Sequence, residues 1–346
     1  MTPPQHQTTS SSPAHTVFLT GVTGFVGGTI LATLSERHPD VRIKALVRQE
    51  ADAKELQAVY PNFTPVMGTL SSLSLLASTA ASADFVIHAA GDNVEAVGAM
   101  IEGLALSSGS ATATQTPTPR LISLTGPRSL IDLSIPITGV ARSDSKIWSD
   151  IADAHAILDL PSHRMHAGTD QAIVKHSLAR GVGTILVSPG QLWGQGKAHL
   201  KKESNSAMYY ATAKSRGRAF VIGDGSIEWS WVSIGDLGAA VVFLLEQAIL
   251  NGPEARQRLG INKEGYYFVQ TGDVSLRKRA DAVSQRLRLG EVESISIDTA
   301  AKIHPFGPIM WGCGERTRAD KLAELGWKPK ELDWRVLMEE YGGERA

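Results

Sequence analysis

A chain of 346 residues with 42% hydrophobic and 20% charged side chains can bury a sizeable core and excludes a disordered majority. The net charge of −1 gives no whole-chain attraction for nucleic acid or an anionic membrane, and no apolar run is long enough to span a bilayer. The single cysteine, Cys313, excludes an internal disulfide and a cysteine-based zinc site, and it points to a reducing, cytoplasmic setting.

Residues 1–15 are polar and rich in Ser, Thr and Pro, and read as a frayed tail without the apolar core of a signal peptide. Val17, Phe18 and Leu19 then end a buried strand, Thr20 to Gly27 forms a glycine-spaced turn, and a helix opens with Thr29-Ile30-Leu31. Strand, turn and helix in that order are the setting of a dinucleotide site. In that setting Gly21 permits the tight turn, Gly24 lets backbone N–H groups reach a pyrophosphate, and Gly27 lets helix and strand pack closely. Thr23, Phe25 and Val26 complete the turn, and the phosphates are expected on the helix's positive end. A second strand, Val41 to Val47, closes with Arg48. A cation at that point suits the extra phosphate of NADP, so NADP(H) is expected over NAD(H), with an edge arginine in solvent as the alternative.

A third strand is expected around Phe63 to Met67, a helix over Ser71 to Ala80, and a fourth strand over Ala83 to His88 running into Ala89, Ala90 and Gly91. Small residues there allow a cofactor to approach the backbone. His88, on a central strand, reads as a hydrogen-bonded core residue rather than a catalyst. After a helix from Asn93 to Leu106, Ser107 to Pro119 reads as a flexible low-complexity loop. Arg120 to Gly126 is the fifth strand, with Thr125 near its carboxyl end, where parallel sheets place ligands. Residues 127–160 are irregular, a lid or wall over the substrate; a helix from about Ser162 to Arg180 leads into a sixth strand, Thr184 to Ser188, with Pro189 at its exit. The alternation implies a Rossmann-type, doubly wound α/β parallel sheet over 16–188, completed by 229–250 and 266–270. The remainder, 189–346, is expected to form mostly a smaller substrate-binding lobe.

The ordered set Thr20 to Gly27, His88-Ala89-Ala90-Gly91, Ser188 to Gly194, Gly223 to Ser226 leading to Val232 to Leu237, and Arg316 to Leu322 ending at Pro329 resembles the extended short-chain dehydrogenase/reductase superfamily. Within it, the chain is most similar to fungal epimerase/dehydratase-like proteins. The resemblance implies a nicotinamide cofactor, a small-molecule substrate and no metal. Relatives often pair through helices beside the catalytic one, which leaves room for a homodimer. It also implies a Tyr-x-x-x-Lys dyad on the helix before the sixth strand. Ungapped alignment from Pro189 puts Ser162 and His166 at those two positions, so the dyad is missing. Thr125 alone keeps its family role.

Several residues are candidates to replace the dyad. His163, His166 and Asp170 share a helical face, so an imidazole oriented by a carboxylate suits acid–base work, the alternative being a solvated first turn. Tyr210, with Lys214 one helical turn on, is the second candidate, although paired Tyr209 and Tyr210 also suit packing. Trp193, Trp229 and Trp231 are candidates to wall an apolar or aromatic substrate, and Arg316 to hold an anionic group. The function expected is an NADP-dependent oxidoreductase on a small carbonyl or alcohol. The alternatives are a non-catalytic NADP-binding sensor or scaffold and a non-redox isomerase or dehydratase.

Overall fold

The computed structural model describes residues 15–107, 118–143, 145–201 and 205–339. Most of the Ser107 to Pro119 loop and all but His15 of the expected tail lie outside those residues. The first half alternates regularly. Strands β1 (Thr16–Thr20), β2 (Arg42–Val47), β3 (Phe63–Met67), β4 (Phe85–His88) and β5 (Pro119–Leu124) alternate with helices α1 (Phe25–Arg37), α2 (Glu50–Val59), α3 (Leu73–Ala81) and α4 (Val94–Ser107). Next come β6 (Ile147–Ser149), α5 (Ala154–Leu158), α6 (Ala167–Arg180), β7 (Gly183–Pro189), β8 (Gln191–Trp193), α7 (Asn205–Arg216), β9 (Phe220–Ile222), β10 (Glu228–Ser233) and α8 (Ile234–Leu245). The chain closes with α9 (Gly252–Gln257), β11 (Tyr266–Val269), β12 (Gly272–Ser275), α10 (Leu276–Leu287), β13 (Glu293–Ile295), α11 (Ile297–Ile303), α12 (Gly307–Gly312), β14 (Arg316–Arg318), α13 (Asp320–Glu324) and α14 (Trp334–Glu339).

Seven parallel strands form the main sheet in the order β11-β7-β5-β4-β1-β2-β3. The chain therefore winds outward from β1 to β3, returns to lay β4 on the other side of β1, and winds outward again. The reversal between β1 and β4 is the crevice where such sheets bind ligands. Both faces are covered, as the unbroken apolar strands require. Val17 and Leu19 pack with Ile30 and Leu34 of α1 and Val241 and Leu244 of α8. Phe18, pointing the opposite way, packs with Leu76 of α3, Met100 of α4 and Ile173 of α6.

A second lobe stands over the carboxyl ends of these strands. It holds the three-stranded β12-β10-β8 sheet and the β13-β9 pair, around a core of Trp193, Tyr209, Phe220, Trp231 and Trp311. The segment 127–160, expected to be irregular, contains a 3₁₀ turn at Pro127–Leu130, helix α5 and strand β6, which pairs with β14. Late strand β11 joins the main sheet beside β7, whereas β10 lies in the separate three-stranded sheet. Helix α6 begins at Ala167 and not near Ser162.

Candidate active site

The turn after β1 is built by backbone-to-backbone contact. Gly21 has φ +80, and a Cβ on it would lie 2.4 Å from the carbonyl oxygen of Ala89; a Cβ on Gly27 would lie 2.3 Å from the carbonyl oxygen of Gly21. Glycine at both places lets the exit of β4, the turn and α1 close on one another. Gly24 caps α1 with no side-chain hydrogen bond, and no acidic residue stands in the first turn. The helix thus presents its N–H end without a protein anion, which fits a phosphate group. Ala89 and Ala90 flank the turn half-exposed. Arg48 follows β2 in solvent, and its guanidinium makes no hydrogen bond or ion pair among the described residues.

Beside this turn a cavity of about 350 Å³ opens between the sheet and the second lobe. Phe25 and Val26 form one wall, Thr125 to Arg128, His166 and Pro189 to Leu192 the floor, and Tyr209, Trp229, Arg279 and Trp311 the roof. Thr125 Oγ1 donates to Asp170 Oδ2 at 3.0 Å. Asp170 is only 3% exposed, and burial pushes its carboxyl up to about 7, against the opposing pull of the Thr125 hydrogen bond and the His166 charge. His166 caps α6 with a backbone φ of 67, a left-handed value uncommon for a residue with a side chain. Its Nδ1 lies 2.8 Å from Asp92 Oδ2. A Cβ at Gly126 would lie 2.8 Å from its Nε2, so the ring occupies space that only glycine leaves open.

Other sequence candidates lie elsewhere. Residues 161–166 are not helical, so His163, His166 and Asp170 do not share a helical face, and Ser162 and His163 are exposed. The carboxylate oriented against His166 is Asp92, not Asp170; Asp170 serves Thr125. Tyr210 is buried in the second lobe's core and does not line the cavity, because one residue along a helix turns the side chain by about 100°. Its neighbour Tyr209 does line it, but the Tyr209 hydroxyl is committed to the backbone of Phe220, donating to its carbonyl at 2.6 Å and accepting from its N–H at 3.1 Å. Trp193, its ring 5.3 Å from that of Trp334, and Trp231 belong to the same core, while Trp229 reaches the cavity. Arg316 lines a different cavity of about 580 Å³ and pairs with Glu228 at 3.1 Å. His88 is a core residue, its ring nitrogens 2.8 Å from Thr20 Oγ1 and 2.8 Å from the Gly91 carbonyl. Asp92, Arg128 and Arg279 had no sequence signal. Among the described residues no group of three or more His, Cys, Asp and Glu is placed to hold a metal, and no helix is long and apolar enough to cross a membrane.

A profile of the family described as male sterility protein matches residues 19–66, which run from the end of β1 through the glycine turn, α1, β2 and α2 into β3. The chain is 30% identical to the oxidase ucsJ of Acremonium sp over 329 residues, 90% of this chain and 92% of that protein. Among solved structures it is similar to the dTDP-glucose 4,6-dehydratase of Bacillus anthracis in complex with NAD, at a TM-score of 0.63, 12% identity, and coverage of 96% of this chain and 98% of that one. It is similar also to the UDP-glucose 4-epimerase of Thermotoga maritima, with a TM-score of 0.61, 12% identity, and 94% and 98% coverage.

Proposed function

The chain belongs to the extended short-chain dehydrogenase/reductase superfamily, and from that premise we propose that it is an NADP-dependent oxidoreductase acting on a small organic carbonyl or alcohol. One observation carries the reading: Thr125, backed by the buried Asp170 carboxyl that burial raises to about 7, lines a cavity that also reaches the first turn of α1. In this reading Gly21, Thr23, Gly24, Phe25, Val26 and Gly27 hold the diphosphate, Ala89, Ala90 and Pro189 border the remainder, and Arg48 takes the additional phosphate. When bound, the nicotinamide supplies hydride exchange.

The protein's own residues then manage the oxygen and its proton. With Asp170 protonated, its carboxyl donates to Thr125 Oγ1 and the threonine hydrogen turns toward the substrate oxygen. A proton delivered from Thr125 to a developing alkoxide is replaced from Asp170, which leaves a carboxylate and a neutral hydroxyl. His166, held by Asp92 and partly open to solvent, returns the proton to Asp170. This arrangement does the work assigned elsewhere in the superfamily to the tyrosine and lysine that the chain lacks. The oxidase relative favours turnover with electron transfer over a silent scaffold.

The test is a pair of measurements. NADPH fluorescence should change on binding, and Arg48→Asp should weaken NADPH about tenfold or more while sparing NADH, since a charge-assisted phosphate contact is lost. Steady NADPH consumption with a panel of aldehydes and ketones is expected. Equal affinity of the native protein for the two nucleotides would defeat the NADP assignment, and nucleotide binding with no turnover on any carbonyl would favour the sensor reading.

A further inference from the structure

Helix α10 opens with Leu276-Arg277-Lys278-Arg279; Arg277 and Lys278 are exposed, while Arg279 is buried. Arg277 turns outward and pairs with Asp281 at 2.9 Å. Arg279 turns inward and is 2% exposed. Its guanidinium makes no hydrogen bond and no ion pair among the described residues, and its buried Nε has no partner. The ring of Tyr209 lies 4.2 Å from the guanidinium carbon. A desolvated cation with five N–H donors and no acceptor is costly to keep, and it is retained against the wall of the cavity.

The rest of that wall has the same sign. Among the described residues no Asp or Glu lines the cavity, whereas Arg128 and Lys201 do; neither forms an ion pair among those residues, although the Arg128 charge acts on buried Glu315. A low-dielectric cleft whose charged lining residues are cations concentrates anions. Its apolar lining mixes aromatic rings, Phe25, Trp229 and Trp311 among them, with Val26, Leu192 and Met310. A planar guanidinium matches a planar carboxylate through two parallel N–H···O bonds, and flat indoles match a flat ring. The volume of about 350 Å³ suits an acid of one or two rings better than a nucleotide-linked sugar.

We propose that Arg279 is an anion subsite and that the substrate is an aromatic or conjugated carboxylic acid, its carboxylate on Arg279 and its reacting carbonyl or alcohol toward Thr125. The inference rests on the oxidoreductase reading for the reacting group, but the anion subsite is measurable without turnover.

The probes are 2-naphthoate, its neutral amide 2-naphthamide, and uridine diphosphate, titrated by calorimetry into the full-length protein with and without NADP. Quenching of tryptophan fluorescence gives a second readout, because Trp229 and Trp311 face the cavity. The expected result is about tenfold or more tighter binding of naphthoate than of naphthamide. Arg279→Gln should abolish that difference by weakening naphthoate alone, Arg279→Lys should keep part of it, and NADPH affinity should be unchanged in both. Melting temperature should not fall in Arg279→Gln, since an unpaired buried charge has been removed; if that variant fails to fold, Arg279→Lys carries the comparison. Equal binding of acid and amide, a preference that survives Arg279→Gln, or tightest Arg279-dependent binding by uridine diphosphate would overturn the proposal. Failure of NADPH to bind while naphthoate still depends on Arg279 would reject the oxidoreductase reading and leave the anion subsite standing.

Discussion

With 3% of its surface exposed and the Thr125 hydroxyl as its hydrogen-bond partner, Asp170 keeps a proton to about pH 7, where an exposed aspartate would have lost it about three units lower. A carboxyl that is half protonated at neutrality is matched to proton transfer there. Carbonyl reduction should therefore be fastest below pH 7 and decline as pH rises through about 7, because the acid form is the donor. Asp170→Asn preserves the shape but has no proton to give. We expect kcat to fall about tenfold or more and the inflection near 7 to vanish from the pH–rate profile. An unchanged profile would remove Asp170 from the chemistry. Thr125 was legible in the sequence, being a hydroxyl at the end of a central strand. The Asp170 contact was not, since it spans 45 positions and depends on where α6 begins.

At the scale of elements, the β1–turn–α1 unit is local in sequence, and its physics can be read locally. The glycines are required by contacts of 2.4 Å and 2.3 Å that a Cβ would make with backbone carbonyls. Gly27→Ala should push α1 away from the turn, lowering stability by about 1–3 kcal/mol and weakening nucleotide binding further. Denaturant melts and NADPH fluorescence check the two effects; a variant that binds NADPH normally would show that the turn is not the phosphate site. The start of α6 shows the opposite case. Pro161-Ser162 has the composition of a helix start, yet the chain makes a turn there, with the Arg164 N–H donating to the Pro161 carbonyl at 2.9 Å. The helix waits until after His166, whose φ of 67 is set by the Asp92 contact and the space over Gly126. No local propensity announces a left-handed histidine. Edge strand β11 is likewise completed from afar, the Phe268 N–H donating to Asp150 Oδ2 at 3.0 Å.

Three buried carboxyls shape the whole molecule's response to pH. Burial raises Asp150 to about 6, Asp170 to about 7 and Glu315 to about 8. Between about pH 4 and 8 these three groups hold more protons in the folded protein than in the unfolded chain, so their titration lowers stability as pH rises, while His88, held below its ordinary value by burial, works the opposite way at the acid end of the window. The sign is opposite to that of a protein held by buried salt bridges. Melting temperature should fall overall from pH 5 to 8, and Asp170→Asn should flatten the slope below about 7. A melting temperature that climbs over this range would contradict the penalty that burial places on the charged forms of these groups.

The sequence by itself determined the parallel sheet, the glycine turn, the absence of the usual dyad and the hydroxyl of Thr125, because each is written in neighbouring residues or in a two- or three-to-four-residue period. Only the tertiary structure decided that Asp92 serves His166, that Asp170 serves Thr125, that Tyr209 and Trp229 rather than Tyr210, Trp193 and Trp231 wall the cavity, and that Arg279 turns inward with no acid paired to it among the described residues. Those assignments depend on which side chains meet across distant segments and on which of them lose water. Neither quantity exists until the two lobes have closed on each other.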